Sequence, residues 1–232
     1  MLTIRKSKDR GHFNHGWLNT YHTFSFGRYV DRNHMGFRAL RVINEDIVAP
    51  ATGFGEHPHD NMEILTYVLS GTLTHGDSLG HSEPLRHGEL QRMSAGTGIE
   101  HSEVNASKTD PVHLLQIWLL PARDNTAPAY GQAKFPIVEQ PNRLHLLASP
   151  DGANGSLTIG QDVRLYSGIF DKGASVSVEL KPGRHAWVQI AHGSVTINGQ
   201  TLTAGDGAAI SNETALTIAA NEKSELLVFD LN

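Results

Sequence analysis

Residues 55–71 read GEHPHDNMEILTYVLSG: two histidines one residue apart, then a glutamate and an apolar run that ends at a glycine. Side chains on a β-strand alternate between its two faces, so His57 and His59 lie on one face of the same strand. Two imidazoles on one face can bind one metal ion, or they can be hydrogen-bonded residues of a core. The apolar run that follows is typical of a buried strand.

Short β-rich runs of the same kind recur along the chain between glycines and prolines, of which there are 23 and 10. These runs include ALRVI (39–43), VHLLQIWLL (112–120), WVQIAHGSVTI (187–197) and SELLVFDL (224–231). Closely spaced turns leave little room for crossover helices, and no long segment has the 3.6-residue period of a helix. We therefore predict an all-β protein built as a sandwich or barrel, with its strongest hairpin at Asn198-Gly199.

Two stretches, 69–96 and 191–212, share one layout of strand, glycine turn, alternating strand, second turn and a further strand. A duplicated barrel would produce this repeat. Between them, residues 121–145 carry four prolines and little periodicity, as expected of a connection. We predict one domain over residues 1–135, with the metal site, and a second over residues 136–232, without one.

The amino-acid composition excludes several kinds of functional site and partner. The 232 residues include no cysteine, which excludes disulfides, thiolate ligands and a cysteine nucleophile. A net charge of −5 gives no general attraction to nucleic acid, and no apolar run approaches the roughly 20 residues of a membrane-spanning helix. The start of the sequence lacks the apolar stretch of a secretory signal, so we expect a cytoplasmic protein.

A second cluster follows a glycine-rich turn. SAGTGIEHSEVN (94–105) places His101, Glu103 and Asn105 at alternate positions of one strand. If this strand lies beside the H-x-H strand in one barrel, three imidazoles and one carboxylate converge. Glu63 has the same parity as the H-x-H pair and is a rival for the carboxylate position. Nitrogen and oxygen donors with open positions suit Fe(II), Mn, Ni, Cu(II) or Zn.

The remaining histidines and aromatic residues have simpler interpretations. We interpret His12, His15 and His22 as solvated loop residues, with donors behind the metal ligands as the alternative. We place His75, His81 and His87 at the surface near a turn, and we interpret His185 and His192 as structural. An aromatic group could line a substrate pocket, although aromatic residues at strand spacing are usually core; its members are Trp17, Tyr21, Phe24 and Phe26.

The two motifs together resemble the paired cupin motifs in the form used by the pirin family. The opening stretches GHFNHGWLNTYHTFSF (11–26) and MGFRALRVINED (35–46) are similar to the start of bacterial pirin-like proteins. Ser94 stands where other cupins usually have proline, and two extra residues precede His101; both departures are pirin-like. The resemblance covers essentially the whole chain and implies a bicupin, two double-stranded β-helix barrels in one chain.

The resemblance also implies the site and the activity. In pirins the N-terminal barrel holds one metal through residues that match four positions here, namely His57, His59, His101 and Glu103. This pattern favours Glu103 over Glu63. We expect one divalent transition metal, with Fe(II) as the first choice and Cu, Ni, Mn or Zn as alternatives.

Bacterial pirin-like proteins are associated with quercetin 2,3-dioxygenase activity, in which O2 opens a flavonol ring. The implied partners are a flavonol-like molecule and O2, with Glu103 accepting the proton of the 3-hydroxyl. Two other functions fit the same residues: a redox-responsive binding protein or transcription co-regulator, and a dioxygenase for another phenolic substrate. We expect a monomer, because two barrels in one chain already supply the pairing that single cupins obtain by dimerising.

Overall fold

The protein is built almost entirely of β-strands, as a computed structural model describing residues 1–232 shows. Two short 3-10 turns, Ser7–Asp9 and Ala153–Gly155, are its helical elements. The strands are β1 (Leu2–Arg5), β2 (Gly11–Asn14), β3 (Leu18–His22), β4 (Leu40–Val48), β5 (Gly53–His59), β6 (Glu63–Ser70), β7 (Thr72–Asp77), β8 (Ser82–Arg86), β9 (Glu89–Ser94), β10 (Ile99–Val104), β11 (Val112–Leu119), β12 (Ala129–Lys134), β13 (His145–Ser149), β14 (Leu157–Thr158), β15 (Val163–Phe170), β16 (Ser175–Glu179), β17 (His185–His192), β18 (Ser194–Ile197), β19 (Gln200–Thr203), β20 (Gly207–Ile210), β21 (Ala215–Ala220) and β22 (Ser224–Leu231). No helix has the length and apolar character needed to cross a membrane.

The chain forms two compact units. One comprises residues 11–134 with 159–161, and the other comprises residues 1–10, 135–158 and 162–232. The all-β fold with two barrel-like units is therefore confirmed. The first ten residues group with the second unit, whereas the predicted division assigned them to the first. The division into two domains near residue 135 stays a prediction.

The first unit consists of two antiparallel sheets. A seven-stranded sheet has the order β12-β9-β6-β11-β4-β3-β2, and a four-stranded sheet has the order β5-β10-β7-β8. Leu73 and Leu85 of the smaller sheet pack in one buried cluster with Val48, Val68 and Leu114 of the larger sheet. Apolar side chains fill this part of the interior.

The second unit also has two sheets. A seven-stranded sheet has the order β1-β20-β17-β22-β15-β13-β14, in which the β13–β14 pair is parallel, and a four-stranded sheet has the order β16-β21-β18-β19. Its interior is an apolar cluster that includes Phe170, Val188 and Val228. The predicted hairpin is confirmed: Ile197 pairs with Gln200, and the positive φ values of Asn198 (45°) and Gly199 (83°) are those of a two-residue primed turn.

Candidate metal centre

Strands β5 and β10 are neighbours, and their register places His101 directly opposite His57. The centroid of the His57 ring lies 4.8 Å from that of His59 and 4.4 Å from that of His101, and the His59 and His101 centroids are 4.9 Å apart. One ring nitrogen from each residue lies within 4.8 Å of the others. The three imidazoles predicted from the two motifs therefore converge on one point.

His101 is the deepest of the three, and both of its ring nitrogens are buried without a hydrogen-bond partner. A buried polar group without a partner is unfavourable by roughly 1–3 kcal/mol, so an imidazole in this state is suited to a ligand that the protein itself does not supply. Burial, with the nearby His57 and His59, lowers the pKa of His101 to about 3. The ring is therefore neutral at pH 7, as a metal ligand must be.

The other two imidazoles are positioned by different interactions. Burial lowers the pKa of His59 to about 4, with a further contribution from His57. His57 donates from Nδ1 to the carbonyl oxygen of Gly55 at 2.7 Å. This bond fixes the tautomer with Nε2 unprotonated, which is the usual orienting contact of a metal-binding histidine. Neutral nitrogen donors of this kind fit a divalent transition metal.

Glu103 lies on β10 beside this cluster and is fully enclosed. Its Oε1 accepts a hydrogen bond from the Thr66 hydroxyl (3.0 Å), and its Oε2 accepts one from Gln116 Nε2 (2.6 Å). Burial raises the pKa of Glu103 to about 7, although both hydrogen bonds act in the opposite direction. A carboxyl group titrating near neutrality can exchange a proton with a substrate.

The carboxylate does not join the three imidazoles in one tight group. Ligand atoms of Glu103, His101 and His75 lie within 4.8 Å of one another and form a second group that shares His101 with the first. The four-ligand set of His57, His59, His101 and Glu103 therefore stays a prediction.

The assignment of His75 to the surface is wrong. His75 faces Glu103 across β7 and β10 and is fully buried. Its Nε2 donates to Asp77 at 2.9 Å, and its Nδ1 accepts from Gln91 Nε2 at 3.1 Å. The same strand parity as the buried Leu73 could have placed this side chain inside the barrel. The other two histidines that were assigned to the surface, His81 and His87, are half-buried.

Glu63 and Asn105 have other partners. Glu63 accepts hydrogen bonds from the Ser94 hydroxyl (2.8 Å) and from the backbone N–H of Gly160. Asn105 donates to backbone carbonyls, among them that of Asp110 at 2.9 Å. Both side chains tie strands and loops of the first unit together, and Glu63 belongs to neither group of possible metal ligands.

The aromatic residues of the opening segment have separate positions. Phe24 is buried in the core, and Trp17 packs edge-on against Phe54. Tyr21 stacks on His12, whose ring is exposed. Phe26 lines a cavity of the first unit.

The histidines nearby also differ from one another. His12 and His15 are exposed, as predicted, whereas His22 is buried, and burial lowers its pKa to about 4. In the second unit His185 makes a hydrogen bond to Ser211, in agreement with a structural role.

Two barrel units, with three converging imidazoles and a neighbouring carboxyl group in the first, define a bicupin with a site suited to a divalent metal. Residues 3–119 match the family model described as Pirin, and residues 146–231 match the model described as Quercetinase C-terminal cupin domain. The chain belongs to the pirin family.

Known proteins of this family resemble the chain over its full length. It is 48% identical to the quercetin 2,3-dioxygenase of Escherichia coli (strain K12) over 231 residues, which are 100% of this chain and 99% of the relative. The crystal structure of YhhW from Escherichia coli has a TM-score of 0.96 at 48% identity, covering 100% of this chain and 98% of YhhW. A structure of YhhW in complex with nickel(II) has a TM-score of 0.95 at 48% identity and covers 100% and 99% of the two chains.

Proposed function

We propose that this protein is a metal-dependent dioxygenase that opens the ring of quercetin or a related flavonol with O2. The observation that carries the proposal is the convergence of His57, His59 and His101, with both nitrogens of His101 buried and free of partners. The relative named quercetin 2,3-dioxygenase, 48% identical over the whole chain, supports the choice of substrate.

We assign the metal to His57, His59, His101 and Glu103, with Fe(II) as the first choice and Cu, Ni, Mn or Zn as alternatives. The nickel(II) in the similar YhhW structure supports a divalent ion without selecting among these. Once bound, a divalent metal supplies Lewis-acid polarisation of a substrate oxygen and a template for the reactants. Four protein groups would leave further coordination positions of the ion for substrate and O2.

Glu103 takes the proton of the flavonol 3-hydroxyl in this proposal. Because burial brings its pKa to about 7, a substantial fraction of the carboxyl group is ionised at neutral pH and can accept a proton. Thr66 can adapt to this change. Its hydroxyl lies 3.0 Å from Glu103 Oε1 and 3.1 Å from Gln116 Oε1, so it can donate to the amide when the carboxyl group becomes protonated and donates to Thr66.

The experiment combines metal analysis with turnover. Protein purified without added metal is analysed for metal per chain, then stripped and reloaded with Fe(II), Cu(II), Ni(II) or Mn(II) in separate samples. Each is mixed with quercetin without oxygen and then exposed to O2, while oxygen uptake and carbon monoxide release are recorded. The expected result is about one metal per chain and one O2 consumed for each carbon monoxide released.

His57→Ala should lose both the metal and the oxygen uptake, whereas His12→Ala, which changes an exposed histidine of the same unit, should keep both. Bound metal without oxygen uptake for any flavonol would overturn the dioxygenase and favour the redox-responsive binding role or another phenolic substrate. Failure to bind any of the metals would overturn the site itself. A monomer in the cytoplasm is part of the proposal.

A further inference from the structure

A row of polar side chains crosses the inner face of the seven-stranded sheet of the first unit. The register places these residues directly opposite one another on β3, β4, β11, β6 and β9: His22, Asn44, Gln116, Thr66 and Gln91. All five are buried. Polar residues at five consecutive cross-strand positions inside a barrel require partners, because burying a polar group without a hydrogen bond is unfavourable.

One end of this polar row makes hydrogen bonds at the candidate metal centre. Thr66 and Gln116 donate to Glu103, and Gln91 Nε2 donates to His75, although Gln91 Oε1 is buried without a partner. At the other end, on β3 and β4, which we call the unfinished end, two further polar atoms lack a partner. Asn44 Oδ1 and His22 Nδ1 are buried without a partner. The exposed fraction is 4% for Asn44 and 7% for His22.

Asp46 adds a third group at the unfinished end. It lies two residues after Asn44 on the same face of β4, is 4% exposed, and its Oδ1 is also without a partner. The Thr20 hydroxyl makes a hydrogen bond to the Asp46 carboxyl group. The two free acceptors, Asn44 Oδ1 and Asp46 Oδ1, therefore belong to side chains spaced about 6.6 Å apart along the strand.

His22, Asn44 and Asp46 line a cavity of about 280 Å³. Its other walls include Phe13, Phe26 and Phe54. This volume is just below the usual range for whole small-molecule sites, roughly 300–1,000 Å³, and is suited to one ring of a ligand. Aromatic walls with a few convergent polar atoms are suited to a flat ring that carries hydrogen-bond donors.

The cavity adjoins the histidine cluster. The Phe54 ring centroid is 6.5 Å from that of His57, and Phe54 is the ladder partner of Glu103. On another side, Phe26 meets Trp118 edge-on at 5.3 Å, and Trp118 meets His59 at 5.0 Å. The cavity and the histidine cluster therefore border on each other through Phe54 and through the Phe26–Trp118 pair.

We infer that Asn44 and Asp46 bind the two adjacent hydroxyl groups of a catechol ring, at the end of the substrate remote from the metal. Two adjacent hydroxyls, each making a hydrogen bond of about 2.7 Å, span the gap between side chains 6.6 Å apart along a strand. His22 supplies a further partner at the same end. This inference rests on the proposed function and names its substrate class: flavonols with a dihydroxylated pendant ring.

The test is a binding titration of metal-loaded protein without oxygen, using quercetin and the matching flavonol that lacks both pendant-ring hydroxyls. The native protein should bind quercetin at least roughly tenfold more tightly, as expected for one or two hydrogen bonds to otherwise unpaired groups. Asn44→Leu should remove most of this preference and leave the affinity for the second flavonol within about twofold. Arg86→Ala, at an exposed position of the same unit, should leave both affinities unchanged.

Denaturant unfolding distinguishes a role of Asn44 and Asp46 in substrate recognition from a role in holding the fold together. Because Asn44 Oδ1 has no partner in the protein, Asn44→Leu should not lower the denaturant midpoint. Asp46→Leu provides a second variant with the same expected loss of preference should the first fail to fold. Equal affinity of the native protein for both flavonols, or an equal loss for both in the variants, would overturn the inference. A retained quercetin preference without oxygen uptake would overturn the dioxygenase and leave the catechol site standing.

Discussion

Gln116 donates a hydrogen bond of 2.6 Å from Nε2 to Oε2 of Glu103, so a neutral amide on one sheet fixes the carboxyl group on the other. Thr66 engages the second carboxyl oxygen at 3.0 Å. The carboxyl group is therefore held in one orientation before any ligand arrives. Such preorganisation reduces the reorganisation that proton transfer requires.

Glu103→Gln should fold normally and lose turnover. The new amide can accept from Gln116 and donate to Thr66, whose proton then turns to Gln116 Oε1 at 3.1 Å. Without a carboxylate the 3-hydroxyl proton has no acceptor, and we expect kcat to fall by about 10²–10⁴-fold. Oxygen uptake and metal content measured on one preparation check this, since the metal should be largely retained. Unchanged turnover would remove Glu103 from the role of base.

Glu63→Ala should destabilise the protein without removing the metal. The change leaves the Ser94 hydroxyl and the Gly160 N–H without their acceptor, which we expect to lower the free energy of unfolding by about 1–3 kcal/mol. Denaturant unfolding and metal analysis of the same sample distinguish this residue from Glu103. A loss of metal with unchanged stability would restore Glu63 as a ligand.

Asn105→Ala should be strongly destabilising. Asn105 Nδ2 donates to the carbonyl oxygens of Val48 (3.1 Å), Ala49 (3.2 Å) and Asp110 (2.9 Å), and Oδ1 accepts from the Ser107 N–H (3.1 Å). We expect a loss of about 3 kcal/mol in the free energy of unfolding. Asn105→Asp should be worse, because a carboxylate would face three carbonyl oxygens. A denaturant midpoint for Asn105→Asp equal to that of the native protein would contradict this account.

Asp46→Asn should stabilise the metal-free protein at high pH. Burial raises the pKa of Asp46 from 3.8 to about 7, so its contribution to stability is full below pH 3.8 and is lost as the pH rises to about 7. This shift corresponds to at most roughly 4 kcal/mol, which the neutral amide avoids.

The measurement compares denaturant midpoints of the native protein and Asp46→Asn at several values between pH 4.5 and 8. The histidines with lowered pKa values contribute equally to both proteins and cancel in the difference. The advantage of the variant should grow with pH and level off above about pH 7. A constant difference across this range would show that the carboxyl group is not desolvated in the native fold.

The local sequence pattern predicted the three histidines of the candidate metal centre, because side chains on a strand alternate with a period of two and this period determines which of them share a face. His57, His59 and His101 could be grouped once their strands were assumed to be neighbours, and the ladder supports that assumption. His75 was missed because a nearby glycine turn suggested a loop, whereas its parity with Leu73 places it inside.

The unfinished end of the polar row could not be predicted in this way. Asn44 and Asp46 stand in a run, ALRVINED, whose alternation already places both on the inner face. Whether an inward polar side chain has a partner depends on residues far away in the sequence, such as Gln116 opposite Asn44. The pairing between distant strands determines whether such a side chain has a partner, and the sequence of a single strand does not reveal this pairing.

Strand β1 has a consequence for the order of events during synthesis. Its four residues pair with β20, so Arg5 meets Gly207 more than 200 positions later in the chain. At roughly 5–20 residues per second, the partner strand leaves the ribosome on the order of 10–40 s after β1 does. The first unit, complete by Gln161, can fold during this interval. The opening strand, by contrast, waits unpaired until the last quarter of the chain has emerged, and the second barrel closes after the first.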